Sequence, residues 1–466
     1  MVKLSAKGED MATQPVEGPR FDVAQFIDDQ PIRPRHIATL VIVSVVLFLD
    51  GFDMYFLGKI LPAIAEGLGG TSVDMNPVVK YQQIGMFAGA LVMPPLADKI
   101  GRKPVLALCL LGFGSLSLWA AWSTSFEMLT WLRGISGIFF SAMLPVGLAF
   151  LSEATPKRKR ALFMAIALVC FSGGNLGSGV MVSWFLDDLG WEGFFIVGGV
   201  VPLAAMLLLL LVPESLSFRV NRNPNDPTVA QTLQQRDPNL QLAPGTSFYL
   251  GDQEEVSKFG PLAMFGPRYR MQTILLFSLC FFSLGNIAVL ANYMATYMYE
   301  FTGMPLETFA FYMVIGYIGG ASGTLVMGWL MDRMNPYWLI ASYFIIDAIA
   351  IFSLGHIPPE VAIAFVTAIV VWNFAQVGGQ TGINNLATLS YPPEMRSSGI
   401  GWAGATGRLG GIVFPILGGI ALEERLSLDV ILGLTAIPAL IIAALVFTLG
   451  VVNGGVIGGR AGKRAS

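Results

Sequence analysis

Pro94-Pro95-Leu96-Ala97-Asp98-Lys99-Ile100-Gly101-Arg102-Lys103 closes one long apolar run, and Gly328-Trp329-Leu330-Met331-Asp332-Arg333-Met334-Asn335-Pro336 closes another in the second half of the chain. Each has a turn-forming residue, then Leu and Met or Ala, then an acid followed at once by a base. A second pair of turns corresponds as well: Glu153-Ala154-Thr155-Pro156-Lys157-Arg158-Lys159-Arg160 against Pro392-Pro393-Glu394-Met395-Arg396. Short turns on one side of a membrane tend to be basic, which accounts for the bases but not for acids at a fixed offset. An internal duplication accounts for both.

The composition supports the membrane setting. Of 466 residues, 54% are apolar and 13% charged, against about 25% charged in soluble domains. Disorder, collagen, coiled coil and a string of soluble domains are excluded. A net charge of −3 is too small to suggest nucleic acid. Cys109, Cys170 and Cys280 all lie in apolar stretches, so no disulfide framework and no metal site is expected.

A bilayer core needs about 20 apolar residues per helix. Runs of that kind occur at Ile37–Ile60, Val78–Ala97, Val105–Trp122, Phe126–Leu151, Leu162–Leu186 and Gly193–Val212. After a polar stretch come Met271–Phe301, Phe309–Met331, Trp338–Leu354, Val361–Ser390, Gly399–Leu422 and Leu428–Val452. The pattern predicts an all-α membrane protein of twelve transmembrane helices in two six-helix bundles. Its parts are an N-terminal tail (1–36), a first bundle (37–212), a central loop (213–270), a second bundle (271–452) and a C-terminal tail (453–466). The many glycines suit close helix approach in lipid.

Basic residues orient the bundle. With both termini on one side, that side receives 23 of the 28 Lys and Arg residues and the other receives Arg425 alone. Lys59, Lys80, Arg133 and Arg408 lie in or beside helices. Both termini and the central loop are therefore expected in the cytoplasm. The first 36 residues include acids and lack a small-residue cleavage site, as a cytoplasmic tail would and a signal peptide would not.

Charges inside the membrane are the strongest functional clue. Asp50 and Asp53 in Asp50-Gly51-Phe52-Asp53 are three apart and share a helix face. The rise from Ile37 puts Asp50 about 20 Å along helix 1, and Arg133 on helix 4 lies about 10 Å below the outer surface. The three thus fall at similar depth. A carboxylate pair beside one guanidinium suits proton coupling, because the acid not paired with Arg133 is free to titrate. A static ion pair joining the two helices is the alternative. Arg408 lies about 15 Å into helix 11 with no acid one or two turns away. Its fork of donors suits an anionic substrate, most naturally a carboxylate, although an acid from the other half is an alternative partner. Helix 10 offers a stripe of amides, Asn373, Gln376, Gln380 and Asn384, of which Asn373 and Gln376 lie nearest midplane. Asn286 and Tyr293 share one face of helix 7, and Phe52, Tyr293 and Tyr317 are candidates for ring stacking. Asp98, Arg102, Lys103 and Glu153 crowd one cytoplasmic mouth, with Asp332, Arg333 and Arg396 at the other; all seven are candidate gate residues.

The turn after helix 2 resembles the signature Gly-x-Leu-x-Asp-Arg-x-Gly-Arg-Lys of the major facilitator superfamily, with Pro94 and Lys99 departing from it. The second copy keeps Gly328 and Asp332-Arg333 but carries Asn335 at the later Gly. Pro213-Glu214-Ser215 is similar to the sugar-porter branch. Asp50-Gly51-Phe52-Asp53, the Tyr391–Trp402 stretch and Gly407-Arg408-Leu409-Gly410-Gly411 resemble the aromatic acid:proton symporter family. Tyr337 stands where members of that family often have His, so no role passes to it. The resemblance implies a monomeric symporter of a bacterial inner membrane that imports an organic carboxylate of aromatic type with a proton by alternating access. It also implies that an acid of helix 1 and an Arg of helix 4 form a coupling pair, and that the proton gradient replaces any cofactor.

Rival classes are weaker. An embedded enzyme would need a nucleophile–base or metal set, yet His36 and His356 are the only histidines and no zinc spacing, phosphate loop or Gly-x-Ser-x-Gly turn occurs. A proton-coupled sugar or neutral-metabolite symporter fits Pro213-Glu214-Ser215 but not a midplane Arg408. A proton-linked drug exporter fits Gly173-Gly174-Asn175-Leu176-Gly177, which lacks the exporter element's proline.

Overall fold

Hydrocarbon offers no hydrogen bonds, so each apolar run must satisfy its backbone internally, and here it does so as helix. The computed structural model describes residues 19–236, 240, 242–243, 246–251, 264–267, 269–391 and 393–452. The chain starts with β1 (Arg20–Asp22) and α1 (Val23–Asp29), then enters the first bundle with α2 (Pro34–Gly67), α3 (Asn76–Ile100), α4 (Arg102–Ala120), α5 (Phe126–Phe140), α6 (Met143–Ala154) and α7 (Lys157–Leu208). The connection carries α8 (Leu216–Arg222), α9 (Pro227–Arg236) and β2 (Ser247–Tyr249). The second bundle comprises α10 (Arg270–Thr302), α11 (Leu306–Met331), α12 (Pro336–Leu354), α13 (Ala362–Ser390), α14 (Pro393–Glu423) and α15 (Leu428–Val452).

Ten helices among the described residues are long and apolar enough to cross a membrane by length and composition. One departure from the expected helices has a local cause. Predicted helix 4 is broken into α5 and α6 around Ser141 and Ala142, where Pro145 removes a donor and crowds the preceding turn. Predicted helices 5 and 6 are the two parts of α7, separate helices that meet at Gly190. Gly190 bends it between them with φ 62° and ψ 177°, backbone that only glycine adopts easily. α3 is 25 residues long but more polar, with Asn76, Lys80, Gln82 and Asp98, and is not among the ten.

Packing repeats between the halves. In the first, α2 lies on α7, α3 on α5, and α4 on α7 beyond the bend; in the second, α10 lies on α14, α11 on α13, and α12 on α15. Each partner in the first set has its counterpart in the second, the structural equivalent of the repeated turns.

One feature was not visible in the hydrophobic pattern. β1 pairs in parallel with β2, and α1 packs with α8 and α9 over a small core of Val23, Ile27, Leu216, Val220, Val229, Leu233 and Phe248. Asp22 caps α1 through the amides of Ala24 and Gln25 and also accepts from Gly251 N at 2.9 Å. Asp28 accepts from Lys157 N at 2.7 Å and pairs with Arg160 at 3.5 Å. The N-terminal segment thus ties the central connection to the start of α7. This end of the bundle is called the near face below, and the opposite end the far face.

Candidate functional site

Asp53 and Arg133 form a buried two-point ion pair. Arg133 Nη2 lies 2.9 Å from Asp53 Oδ2 and donates from Nη1 to Asp53 Oδ1 at 3.1 Å, with both side chains at most 2% exposed. Its Nε donates to Gln82 Oε1 at 3.2 Å. The guanidinium also lies over the rings of Phe56 and Phe195, at 5.7 and 5.6 Å from their centroids. Three donors of Arg133 are thus paired, and two aromatic faces lie against the guanidinium. Removing charge from water costs several kcal/mol per ion, and a two-point ion pair with a further hydrogen bond offsets it.

Asp50, one turn earlier on α2, has no such partner. It is 3% exposed and makes no ion pair or hydrogen bond among the described residues. Two charges act on it across short range: Asp53 on its own helix, and Arg408 of α14 in the other half. Arg408 is exposed and makes no ion pair within 4 Å among the described residues, and the charge acting on it is that of Asp50. The acid from the other half that acts on Arg408 is Asp50, at more than ion-pair distance, and helix periodicity within α14 does not reveal it.

The other candidates scatter. Phe52 stacks on Phe56 at 5.6 Å between centroids and belongs to the aromatic packing beneath Arg133. Asn286 is 1% exposed with neither side-chain polar atom partnered, and Gln376 Nε2 is likewise unpartnered among the described residues. Asn373 is turned onto its own helix, donating to Ile369 O at 3.0 Å. Gln380 links α13 to α10 through Ser283, as interhelical glue would. Tyr317 lies beside Lys59, 5.6 Å from its Nζ.

Tyr293 belongs to the far face. Its hydroxyl donates to Asn76 Oδ1 at 2.8 Å across the two halves, and Asn76 Nδ2 donates to Gly419 O at 3.0 Å and Glu423 Oε1 at 2.8 Å. Ser72 with Glu300 and Glu66 with Tyr299 add two further cross-half hydrogen bonds. Gly58 lets α2 approach α10 so closely that a Cβ there would meet Ala291 O at 2.2 Å. The halves are locked together at the far face.

At the near face the polar contacts among the described residues stay within one half. Arg102 pairs with Asp98 at 2.9 Å and Glu153 at 3.0 Å, Glu153 also receives Ser215 Oγ, and Lys103 donates from N to Glu214 and from Nζ to Val212 O at 2.7 Å. This binds the turn after α3 to the Pro213-Glu214-Ser215 turn after α7. In the second half Asp332 and Arg333 are exposed, and Arg333 folds onto the Trp329 ring, 4.2 Å from its centroid. The side chain of Arg396 lies outside the described residues. Asn76, Gln82, Asn175 and Ser178 carry contacts that the sequence did not single out. As neutral polar residues in helices they stand out only against their neighbours in space.

Two bundles locked at one end, with charged residues at their interface, fit what comparison finds. A family model described as Major Facilitator Superfamily matches residues 43–415. The chain belongs to the Major Facilitator Superfamily. It is a membrane transporter and not an enzyme. It is 33% identical over 433 residues to a gallate transporter of Pseudomonas putida, covering 92% of this chain and 95% of that one. It is 31% identical over 436 residues to the 4-hydroxybenzoate transporter PcaK of Pseudomonas aeruginosa, covering 93% and 97%. These relatives accord with the resemblance to the aromatic acid:proton symporter family. Among solved structures, a D-xylose-proton symporter superposes with a TM-score of 0.68 at 16% identity, covering 89% of this chain and 98% of that one, a likeness of fold.

Proposed function

We propose that this transporter imports an aromatic carboxylate together with a proton by alternating access. The observation that carries the proposal is the unequal fate of the two acids on α2: Asp53 is consumed by Arg133, while Asp50 is unpaired and faces Arg408 across the halves. Arg408 receives the substrate carboxylate through its fork of donors. An anion there lies beside Asp50, and two neighbouring negative charges in a low dielectric repel. A proton on Asp50 removes that repulsion, so anion and proton each favour the other's arrival, as linkage requires. Asn286 and Gln376, buried with unpartnered polar atoms, are available to the substrate's other polar groups.

On the same proposal the chain crosses the bilayer twelve times, counting α3 and the two parts of α7. The near face is cytoplasmic, the membrane is the bacterial plasma membrane, and the protein acts as a monomer. The closed far face then makes this an inward-facing conformation. When the far-face bonds of Asn76, Tyr293 and Glu423 part, the charged turns at Asp98, Arg102, Glu153, Asp332, Arg333 and Arg396 close the near face instead. Energy comes from the proton gradient, with no cofactor. The test is uptake into proteoliposomes with an imposed inward proton gradient, offering benzoate, 4-hydroxybenzoate, gallate and xylose. Accumulation of an aromatic acid that collapses with a protonophore is expected. Accumulation of xylose, or acid uptake indifferent to the gradient, would overturn it.

A further inference from the structure

Lys59 is a second buried cation at the junction of the halves, and it has no acid partner. It lies on α2, 6% exposed, and its Nζ donates to Asn175 O at 3.1 Å, Asn175 Oδ1 at 3.0 Å and Ser178 Oγ at 2.5 Å on α7. The same nitrogen lies over Tyr55 of its own helix at 5.8 Å and Tyr317 of α11, in the other half, at 5.6 Å. Among the described residues no carboxylate comes within 4 Å of it. The hydrogen bonds satisfy the ammonium's three donors, but all the acceptors are neutral, so the charge itself is not compensated. A staple between α2 and α7 would need no charge, and a neutral amide would avoid the desolvation cost. An ionisable residue inside a membrane bundle faces its interior and marks a ligand path.

The surroundings say what ligand. Tyr55 lies within the reach of Asp50's charge, and Tyr317 is in turn close to Tyr55 and to Asn175. The path along α2 from Asp50, on which the charge of Arg408 acts, past Tyr55 to Lys59 is about 14 Å by helix rise. It places a cation at each end and aromatic surface between. Ser178 Oγ can give up Lys59, since its own proton is already donated to Asn175 O at 2.7 Å.

We propose that Lys59 is a second anion-recognition point, and that the preferred substrates are aromatic acids carrying two anionic groups, one held by Arg408 and the other by Lys59. Tyr55 and Tyr317 flank the ring. This deepens the aromatic-carboxylate reading above and rests on it.

The test measures equilibrium binding to the purified full-length protein in lipid nanodiscs, using benzoate and the three benzenedicarboxylates as probes. At least one dicarboxylate should bind wild type about tenfold or more tightly than benzoate, the gain expected from a second charge-assisted contact. Lys59→Met should erase that advantage while leaving benzoate within about threefold of wild type. Lys59→Gln, which keeps polar contact with Asn175 and removes only the charge, should do the same and serves if the Met variant folds poorly. Lys59→Arg should retain most of the advantage. Benzoate binding with no dicarboxylate advantage, or an advantage that survives in Lys59→Gln, would overturn the proposal alone. Failure of all four acids to bind wild type would overturn the aromatic-acid reading and this one with it.

Discussion

Asp50 and Asp53 are chemically identical and three residues apart, yet replacing each by Asn should have opposite consequences. Asp53→Asn removes one partner of a fully buried pair and leaves the Arg133 guanidinium facing an amide that can accept one hydrogen bond where the carboxylate accepted two, at 2.9 and 3.1 Å. Uncompensated buried charge of this kind costs about 3–5 kcal/mol. That corresponds to roughly two to three and a half orders of magnitude in an unfolding equilibrium. Gln82 and the rings of Phe56 and Phe195 remain on Arg133 and hold the cost within that range. Asp50→Asn breaks no ion pair, because Asp50 makes none among the described residues. It also removes like-charge repulsion with Asp53, so its stability cost should stay below about 1 kcal/mol. The assay is unfolding of both purified variants in a denaturing-detergent titration, read beside transport in proteoliposomes. Asp50→Asn should be stable, should exchange preloaded substrate and should fail to accumulate it against a gradient, since exchange needs no net deprotonation. Equal destabilisation by the two substitutions, or concentrative uptake by Asp50→Asn at the wild-type level, would refute the division of labour.

Three further outcomes follow from the same geometry. Arg408→Lys keeps the charge but loses the two-point fork, so binding of an aromatic carboxylate, measured by isothermal titration, should weaken about tenfold or more; the substrate's methyl ester should fail on wild type, and normal binding by the Lys variant would make Arg408 structural. Gly58→Val sets side-chain atoms where Ala291 O would lie 2.2 Å from the first of them, so the far face should fail to close, and cysteines placed beside Asn76 should label faster with an impermeant thiol reagent while turnover falls; unchanged labelling would show that α2 and α10 need not meet. Asp98→Lys turns a 2.9 Å attraction to Arg102 into repulsion at an exposed position, so turnover should slow far more than substrate affinity declines, and equal loss of both would mark Asp98 as a general stability site.

The sequence carries the fold because its physical rules are one-dimensional. Hydrocarbon thickness sets the length of each run, and the repeated acids at Asp98 and Asp332 disclose the duplication without any knowledge of contacts. The Asp53–Arg133 encounter was legible for a related reason: depth along an axis is counted in residues, and two helices entering from opposite sides can be matched by depth alone. What depth does not supply is azimuth. Which of two acids takes Arg133, whether Tyr293 points into a cavity or across to Asn76, and whether Asn373 faces a ligand or its own Ile369 carbonyl all depend on how each helix is rotated in the bundle. The small folded unit of β1, α1, α8, α9 and β2 was hidden for a third reason. Its segments lie far apart in the chain and too few apolar residues sit in each to show a period.

Charge balance connects the two parts of the site. Around α2, Asp50 and Asp53 stand against Arg133, Arg408 and Lys59, two carboxylates against three cations, while a further buried acid, Asp347 on α12, has both oxygens unpartnered among the described residues. Excess charge in a low dielectric is costly, and an empty site of this kind attracts an anion from water. A carboxylate on Arg408 restores that local balance but sets its charge beside Asp50, where a proton removes the repulsion. A dianion adds a second negative charge and strengthens the demand for a proton on Asp50, the acid of the α2 pair that no cation has claimed. With Lys59 charged, preference for a doubly charged aromatic acid and tighter proton coupling therefore rise together through the same unpaired Asp50.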